Sequence, residues 1–356
     1  MKSAPGTEAA APPEDPALRF IRLELAPSRQ RSIAALGFTG LALIGLLAAV
    51  TFRIPYPVLV FAGILMLTVP PAHRPFHQAA EVTGAGFLGA GFAILLAATT
   101  YDQPWLYLPF QCAALTVLLV LSRVTTARAA FILAALVLSF AEPAYLPDPQ
   151  AAIDAALFNA LALGGTAWVV AMARAPFAPP VSREEAPVPP GRRELVGFAM
   201  LALTTIGLQM LFYNTINLPE IRTGVINALL TADPDLRGVW RRMPLRELCA
   251  AGCAALALLM IAVGAPLMED LGFFAVIAAG CYFAVGWVAH GSPRIAFAAG
   301  PGAITVTLVL LQDVRFMTDI VPSLLNVAGV FWGMFVTALI ALLLAPVVEQ
   351  PAERQV

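Results

Sequence analysis

The chain has 356 residues, 60% of them hydrophobic and 12% charged, with a mean hydropathy of +0.82. No ordinary soluble domain has this composition, so the sequence defines a polytopic membrane protein. A net charge of −1 offers no basic balance for nucleic acid. Cys112, Cys249, Cys253 and Cys281 all lie in apolar runs and read as small packing residues, not as disulfides or ligands.

Residues 1–31 read as a cytoplasmic tail. Its first thirteen residues are rich in Ala, Pro and Glu and are expected to be disordered. Glu14 to Ala26 sets Leu18, Phe20, Ile21, Leu23 and Leu25 among Arg19, Arg22 and Glu24, a pattern for an interfacial amphipathic helix. No apolar core of signal-peptide type precedes the first span, so that span is expected to be retained as an anchor. Apolar runs follow at Ser32–Phe52, Ile54–Val69, Gln78–Thr99, Trp105–Leu121, Ala127–Phe140 and Ala152–Met172. A Pro-rich cytoplasmic linker, 174–194, carries Pro176, Pro179, Pro180, Pro187, Pro189 and Pro190. Six more runs are Leu195–Tyr213, Leu218–Thr231, Leu245–Val263, Leu271–His290, Ile295–Leu311 and Val321–Val348, before a tail at 349–356. The expected fold is an all-α membrane protein of about twelve transmembrane helices. Several runs fall short of the ~17–25 residues of a usual span, which predicts tilted or broken helices.

With the N-terminus inside, 18 of the 21 Lys and Arg residues fall in inside segments, and only Arg53, Arg222 and Arg315 fall outside. That bias puts both termini in the cytoplasm. The two halves also echo each other. Arg128 and Arg294 open similar stretches at an offset of 166; Ile54-Pro55 matches Leu218-Pro219 at 164. Thr68 to Pro71 matches Thr231 to Pro234 at 163, Asn159 matches Asn326 at 167, and Ala175-Pro176 matches Ala345-Pro346 at 170. The halves, 32–173 and 195–348, are therefore expected to be two parallel six-helix repeats, an arrangement that places transport sites near mid-membrane, often at interrupted helices. Candidate interruptions are Pro109, Gly264-Ala265-Pro266 and Gly300-Pro301-Gly302.

The stretch from Asn217 to Asn227 holds the most unusual polarity. Asn217 and Glu220 have the spacing of a capping box with Pro219 early in the helix, the favoured reading, and a proton or substrate site at Glu220 is the second, which does not exclude the first. Glu220, Thr223 and Asn227 share a helical face. With Arg222, Gln209, Asn326 and Asn159 they form the candidate substrate and proton path, and Gln111 is a further polar residue within a span. Asp313, Arg315 and Asp319 mark an outer-face loop. Arg237, Arg241, Arg242 and Arg246 form an inner-face basic patch, read either as topology with lipid phosphate contact or as a vestibule for organic anions.

Gly84-x-Gly86-x-x-Gly89 matches a dinucleotide fingerprint literally but lies in a span with no strand before it, so its glycines, like Gly329 and Gly333, read as helix-packing positions. His73 and His77 flank Pro75 and have no third ligand nearby, so no metal is expected. No cofactor motif or catalytic triad spacing occurs, and three histidines leave little general-base chemistry, so no enzyme is expected.

The first span closing before Pro55-Tyr56-Pro57, the basic entry Leu236-Arg237-Gly238-Val239-Trp240-Arg241-Arg242 and the six-plus-six layout resemble the fusaric-acid-resistance and aromatic acid exporter superfamily, in a short two-halved bacterial inner-membrane form. The resemblance implies proton-driven export of aromatic or other hydrophobic carboxylic acids. It also implies a periplasmic membrane-fusion adaptor and an outer-membrane channel as partners, and it leaves room for a homodimer. Two other readings stay open: an organic-anion channel, and a non-transporting scaffold for an adaptor. The chain departs from the family in its short linker and in the absence of a basic patch from the first half.

Overall fold

Prolines set several helix starts. Pro57, Pro75 and Pro149 are each the first residue of a helix, where the missing N–H is no loss and the fixed φ suits the first turn. The computed structural model describes residues 24, 26–54, 56–68, 74–100, 102–125, 127–140, 149–177, 190–216, 223–264, 271–312, 315–316 and 320–348. The proposed amphipathic helix at Glu14–Ala26 lies outside these residues, apart from Glu24 and Ala26.

Twelve helices of nine residues or more occur among the described residues. The first six are α1 (Arg29–Thr51), α2 (Pro57–Thr68), α3 (Pro75–Thr100), α4 (Tyr107–Val124), α5 (Arg128–Ser139) and α6 (Pro149–Arg174). The second six are α7 (Arg192–Ile216), α8 (Thr223–Thr231), α9 (Leu236–Gly264), α10 (Leu271–Ala289), α11 (Ala299–Leu310) and α12 (Ile320–Val348). Their number and places match the sequence expectation. Their lengths do not all match: α1, α3, α4, α6, α7, α9, α10 and α12 are long and apolar enough to cross a membrane, and the other four are not. With 12, 12, 9 and 12 residues, α2, α5, α8 and α11 are each about 18 Å long or less. The protein is thus a multi-pass helical membrane protein.

Two boundaries depart from the sequence reading. The ninth helix was expected over Leu245–Val263, but α9 begins at Leu236, so the whole basic patch is helical. The eleventh run is broken: a single turn at Pro293–Ala296 is separated from α11 by Phe297 and Ala298. Pro301, third residue of α11, brings no N–H to the Phe297 carbonyl, so the chain cannot run through as one regular helix. Pro109 occupies the third position of α4, a first-turn site that tolerates it, and breaks nothing. After α11, Leu311–Gln312 (β1) pairs antiparallel with Arg315–Phe316 (β2), Leu311 opposite Phe316.

The four short helices form the centre. They touch in a closed ring, α2 to α5, α5 to α8, α8 to α11 and α11 to α2. α2, α5 and α11 are apolar on nearly every face, the pattern of a helix buried all round, while α8 carries one polar stripe at Thr223, Asn227 and Thr231. Ile132 to Ser139 of α5 are all buried, as is all of α8 except Leu230. The long helices surround them and turn large apolar side chains outward, such as Ile33 and Leu36 of α1 and Leu339 and Leu343 of α12. The two halves interlock: α1 lies along α10 and α4 along α7. Tyr282 of α10 stacks on Phe61 of α2, ring centroids 4.7 Å apart, and its hydroxyl pairs with Thr307 Oγ1 of α11 at 3.1 Å.

Glycines permit the closest crossings. A Cβ on Gly89 of α3 would stand 2.9 Å from Val137 Cβ of α5, and one on Gly86 would stand 3.2 Å from the Ala160 carbonyl of α6. Gly84 has open space around it, so the literal fingerprint splits into two packing glycines and one free one.

Candidate functional site

The site is built around α8. Thr223 opens this helix, and its hydroxyl donates to the Asn326 carbonyl of α12 at 3.0 Å. Asn227 lies one turn on, 0% exposed; its amide donates to the Thr223 carbonyl at 3.0 Å, and its Oδ1 is buried with no partner. Gln209 of α7 donates to the Gly333 carbonyl of α12 at 3.3 Å, and its Oε1 is likewise buried and unpartnered. Thr231 Oγ1 and Thr205 Oγ1 are in the same condition. A buried acceptor without a donor costs about 1–3 kcal/mol. Several on two neighbouring helices form an under-satisfied polar seam within an apolar bundle.

At the far end of α8 the chain turns sharply and basic side chains gather. Arg246 of α9 donates to the Thr231 carbonyl at 3.0 Å, and Arg123 of α4 donates to the Ala232 carbonyl at 2.7 Å. Cations suit helix C-terminal carbonyls, which carry partial negative charge. Asp233 follows, and its Oδ2 lies 3.7 Å from Arg123, 4.0 Å from Arg128 and 3.6 Å from Arg242. Arg123 and Arg128 come from the first half of the chain, Arg242 and Arg246 from the second. The Nε atoms of Arg123 and Arg246 are buried with no acceptor, although Arg246 covers the Phe297 ring at 5.4 Å and Arg123 the Phe198 ring at 5.1 Å.

A second basic cluster caps α2. Arg174 donates to the Leu67 carbonyl, and Arg31 donates to the Trp287 carbonyl at 2.7 Å while covering the Trp287 ring. His290 lies beside them, its Nδ1 2.9 Å from the Gly286 carbonyl, and Ser292 donates to the Glu24 carboxylate. Burial foremost holds the His290 imidazole below its ordinary range. Hydrogen bonds to the Gly286 and Thr68 carbonyls oppose this, and the charges of Arg174 and Arg31 add to it.

The sequence-derived candidates are divided by the fold. Thr223, Asn227, Gln209 and Asn326 come together. Asn159, 3% exposed with its Oδ1 unpartnered, stands apart on α6, next to the Ala160 that touches Gly86. Gln111 donates to the Leu138 carbonyl near the end of α5. The basic patch splits: Arg242 and Arg246 join the Asp233 cluster, while Arg237 and Arg241 face outward. Glu220, Arg222, Asp313 and Asp319 lie outside the described residues, as do Asn217, Pro219 and His73; the Arg315 backbone pairs in β2. His77 approaches Glu81 on the next turn of α3, at 3.4 Å. Among the described residues no three His, Cys, Asp or Glu side chains are grouped to hold a metal.

The sequence reading missed Arg123, Arg128 and Asp233 as one cluster. The arginines served there only as topology markers, and Asp233 is separated from Arg123 by the whole linker. The signal that existed was the acidic pair Asp233 and Asp235 in an otherwise basic inner segment. Comparison with family models, with curated proteins and with solved structures found no match.

Proposed function

We propose that the protein is an organic-anion transporter of the bacterial inner membrane, with the Asp233 cluster as its inner anion station. The supporting observation is Asp233 itself, a carboxylate of the chain held among guanidiniums from both halves. A substrate carboxylate offers the same chemistry, and guanidinium forks match it. Asp233 acts as the tethered occupant that a substrate displaces. The seam that holds Asn227 and Gln209 continues along α8 toward Thr223 at its opposite end. Glu220 and Arg222 precede that end in sequence and are assigned the proton and the outer carboxylate contact. The recurring order of long and short helices supports reading the halves as duplicated copies, with the ring of short helices at their common axis.

The resemblance noted in the sequence directs the substrate class to aromatic or other hydrophobic carboxylic acids, moved outward with a periplasmic adaptor. The test is flux of a labelled aromatic carboxylate in proteoliposomes, for wild type, Arg242→Gln and Asp233→Asn. Arg242→Gln is expected to weaken apparent affinity about tenfold, and Asp233→Asn to strengthen it. Absence of flux in wild type, or equal affinities in all three, overturns the reading.

A further inference from the structure

At the arginine-rich end of the bundle, the first turns of α9 and the last turns of α12 enclose a cleft of about 340 Å³. Leu236, Arg237, Trp240 and Arg241 line one wall, and Leu342, Ala345 and Pro346 line the other. This cleft is separate from the Asp233 cluster, and the transport reading makes no use of it. We propose that it is a binding site for one anionic phospholipid with a hydroxyl-bearing headgroup, of the phosphatidylglycerol class.

Three features define the ligand. The first is charge: Arg237 and Arg241 stand four residues apart on one face of α9 and both line the cleft, a pairing that suits a single phosphodiester. The second is one backbone acceptor in each wall, set in a lining that is otherwise mostly apolar. Pro244 brings no N–H to the Trp240 carbonyl, and Pro346 brings none to the Leu342 carbonyl, because each proline sits four residues on in its helix. Both carbonyls belong to cleft-lining residues, so each wall offers an acceptor that lacks its helical donor. A headgroup carrying hydroxyls supplies donors for them, and its acyl chains can follow the apolar surface, which free inorganic phosphate cannot do.

The third feature is the apolar rim. Trp240 is 46% exposed and Leu342 45%, and Val347, Leu343 and Leu339 continue the exposed apolar face of α12 away from the cleft. An indole at the boundary between polar and apolar surroundings is typical of headgroup depth. The outward face of α12 gives acyl chains a surface to follow once the phosphate is seated. Basic pockets between helix ends on this side of a membrane protein have the charge and depth for anionic headgroups.

The test uses the full chain in detergent and in nanodiscs, with native mass spectrometry for retained lipid and thermal unfolding for stability. The probes are phosphatidylglycerol, phosphatidylcholine and inorganic phosphate. Wild type is expected to retain one phosphatidylglycerol and to gain thermal stability from it, with neither effect from the other two probes. The Arg237→Gln, Arg241→Gln double variant is expected to retain it about thirty-fold more weakly, at roughly 1 kcal/mol per arginine near a lipid surface. Leu342→Trp keeps both charges but fills the cleft, and is expected to lose the adduct as well; all three positions are surface-exposed, and the melting temperature of each variant without lipid checks that it folds. Equal retention in wild type and both variants overturns the site. So does stabilisation by inorganic phosphate alone, and so does a dimer that the arginine substitutions dissolve, because then a second copy fills the cleft. Anion flux is measured in parallel. Unchanged flux with lost lipid retention supports a site independent of transport, whereas lipid retention in a protein with no flux keeps the site and sinks only the transport reading.

Discussion

Gly333 of α12 lies directly against the backbone of Gly224 of α8: a Cβ built on Gly333 would stand 2.6 Å from the Gly224 Cα. Gly224 in turn lies close to the Gly329 carbonyl, one turn earlier on α12. This crossing seats α8 in the centre and holds Thr223 within reach of the Asn326 carbonyl. Gly333→Ala must therefore move backbone, not a flexible side chain, and is expected to cost about 1–3 kcal/mol. Gly84→Ala, with open space around it, is the matched control and should be neutral or slightly stabilising. Thermal unfolding of both variants in one detergent checks the pair; equal melting temperatures would contradict the crossing.

The seam along α8 separates stability from function. Gln209→Met removes a buried acceptor that has no donor, at the loss of one long hydrogen bond to Gly333. Its melting temperature is expected to stay level or rise, while carboxylate flux falls. Loss of both together would make Gln209 a structural residue only.

The α9–α11 contact is tuned by sulfur. A Cβ on Gly302 would meet Cys253 Sγ at 3.0 Å and Cys249 Sγ at 3.1 Å. Gly302→Ala is expected to destabilise by about 1 kcal/mol, and adding Cys253→Ala should recover part of that loss. A double-mutant cycle of unfolding free energies reads the coupling; strict additivity would rule it out.

His290 gives stability a pH dependence of fixed sign. Its folded imidazole lies below the ordinary 6.5, with burial the first cause. As pH falls through 6.5 the unfolded chain gains a proton there before the folded chain does, so stability declines, and it is fully present above that value. Arg31 and Arg174 face the ring and oppose its protonation, while Glu24, held by Ser292, is the nearby carboxylate of the same end. Thermal unfolding between about pH 5 and 8 is expected to lose part of its slope in His290→Asn. An unchanged slope would assign the dependence elsewhere.

Much of the fold was legible because the bilayer simplifies the code. Runs of apolar residues separated by short polar, charged or proline-bearing stretches marked all twelve helices, and the echo of Thr68 with Thr231 falls on the last residues of α2 and α8. The hidden part was which helices are central. Ile132 to Ser139 is apolar on every side, which distinguishes neither lipid from protein as its surroundings; shortness was the usable clue. The start of α9 was also misplaced, because arginines before an apolar run look like a loop in hydropathy although they are good helix formers. The site was half legible. Thr223, Asn227 and Asn326 stood out as polar residues in apolar runs, whereas Arg123 meeting Asp233 is a contact between chain segments with no local signature.

The ring of short helices also has an electrical consequence. A bilayer core is about 30 Å thick, and each central helix is about 18 Å long or less, too short to bridge it alone. On the transport reading proposed above, polar groups at the helix ends, such as the Asp233 cluster, would lie where the insulating layer is thin. The membrane voltage drops most steeply across such a constriction, about 2.3 kcal/mol per elementary charge for each 100 mV. On that reading, an anion carried through the centre would feel nearly the whole of that potential within little more than half the thickness of the surrounding lipid.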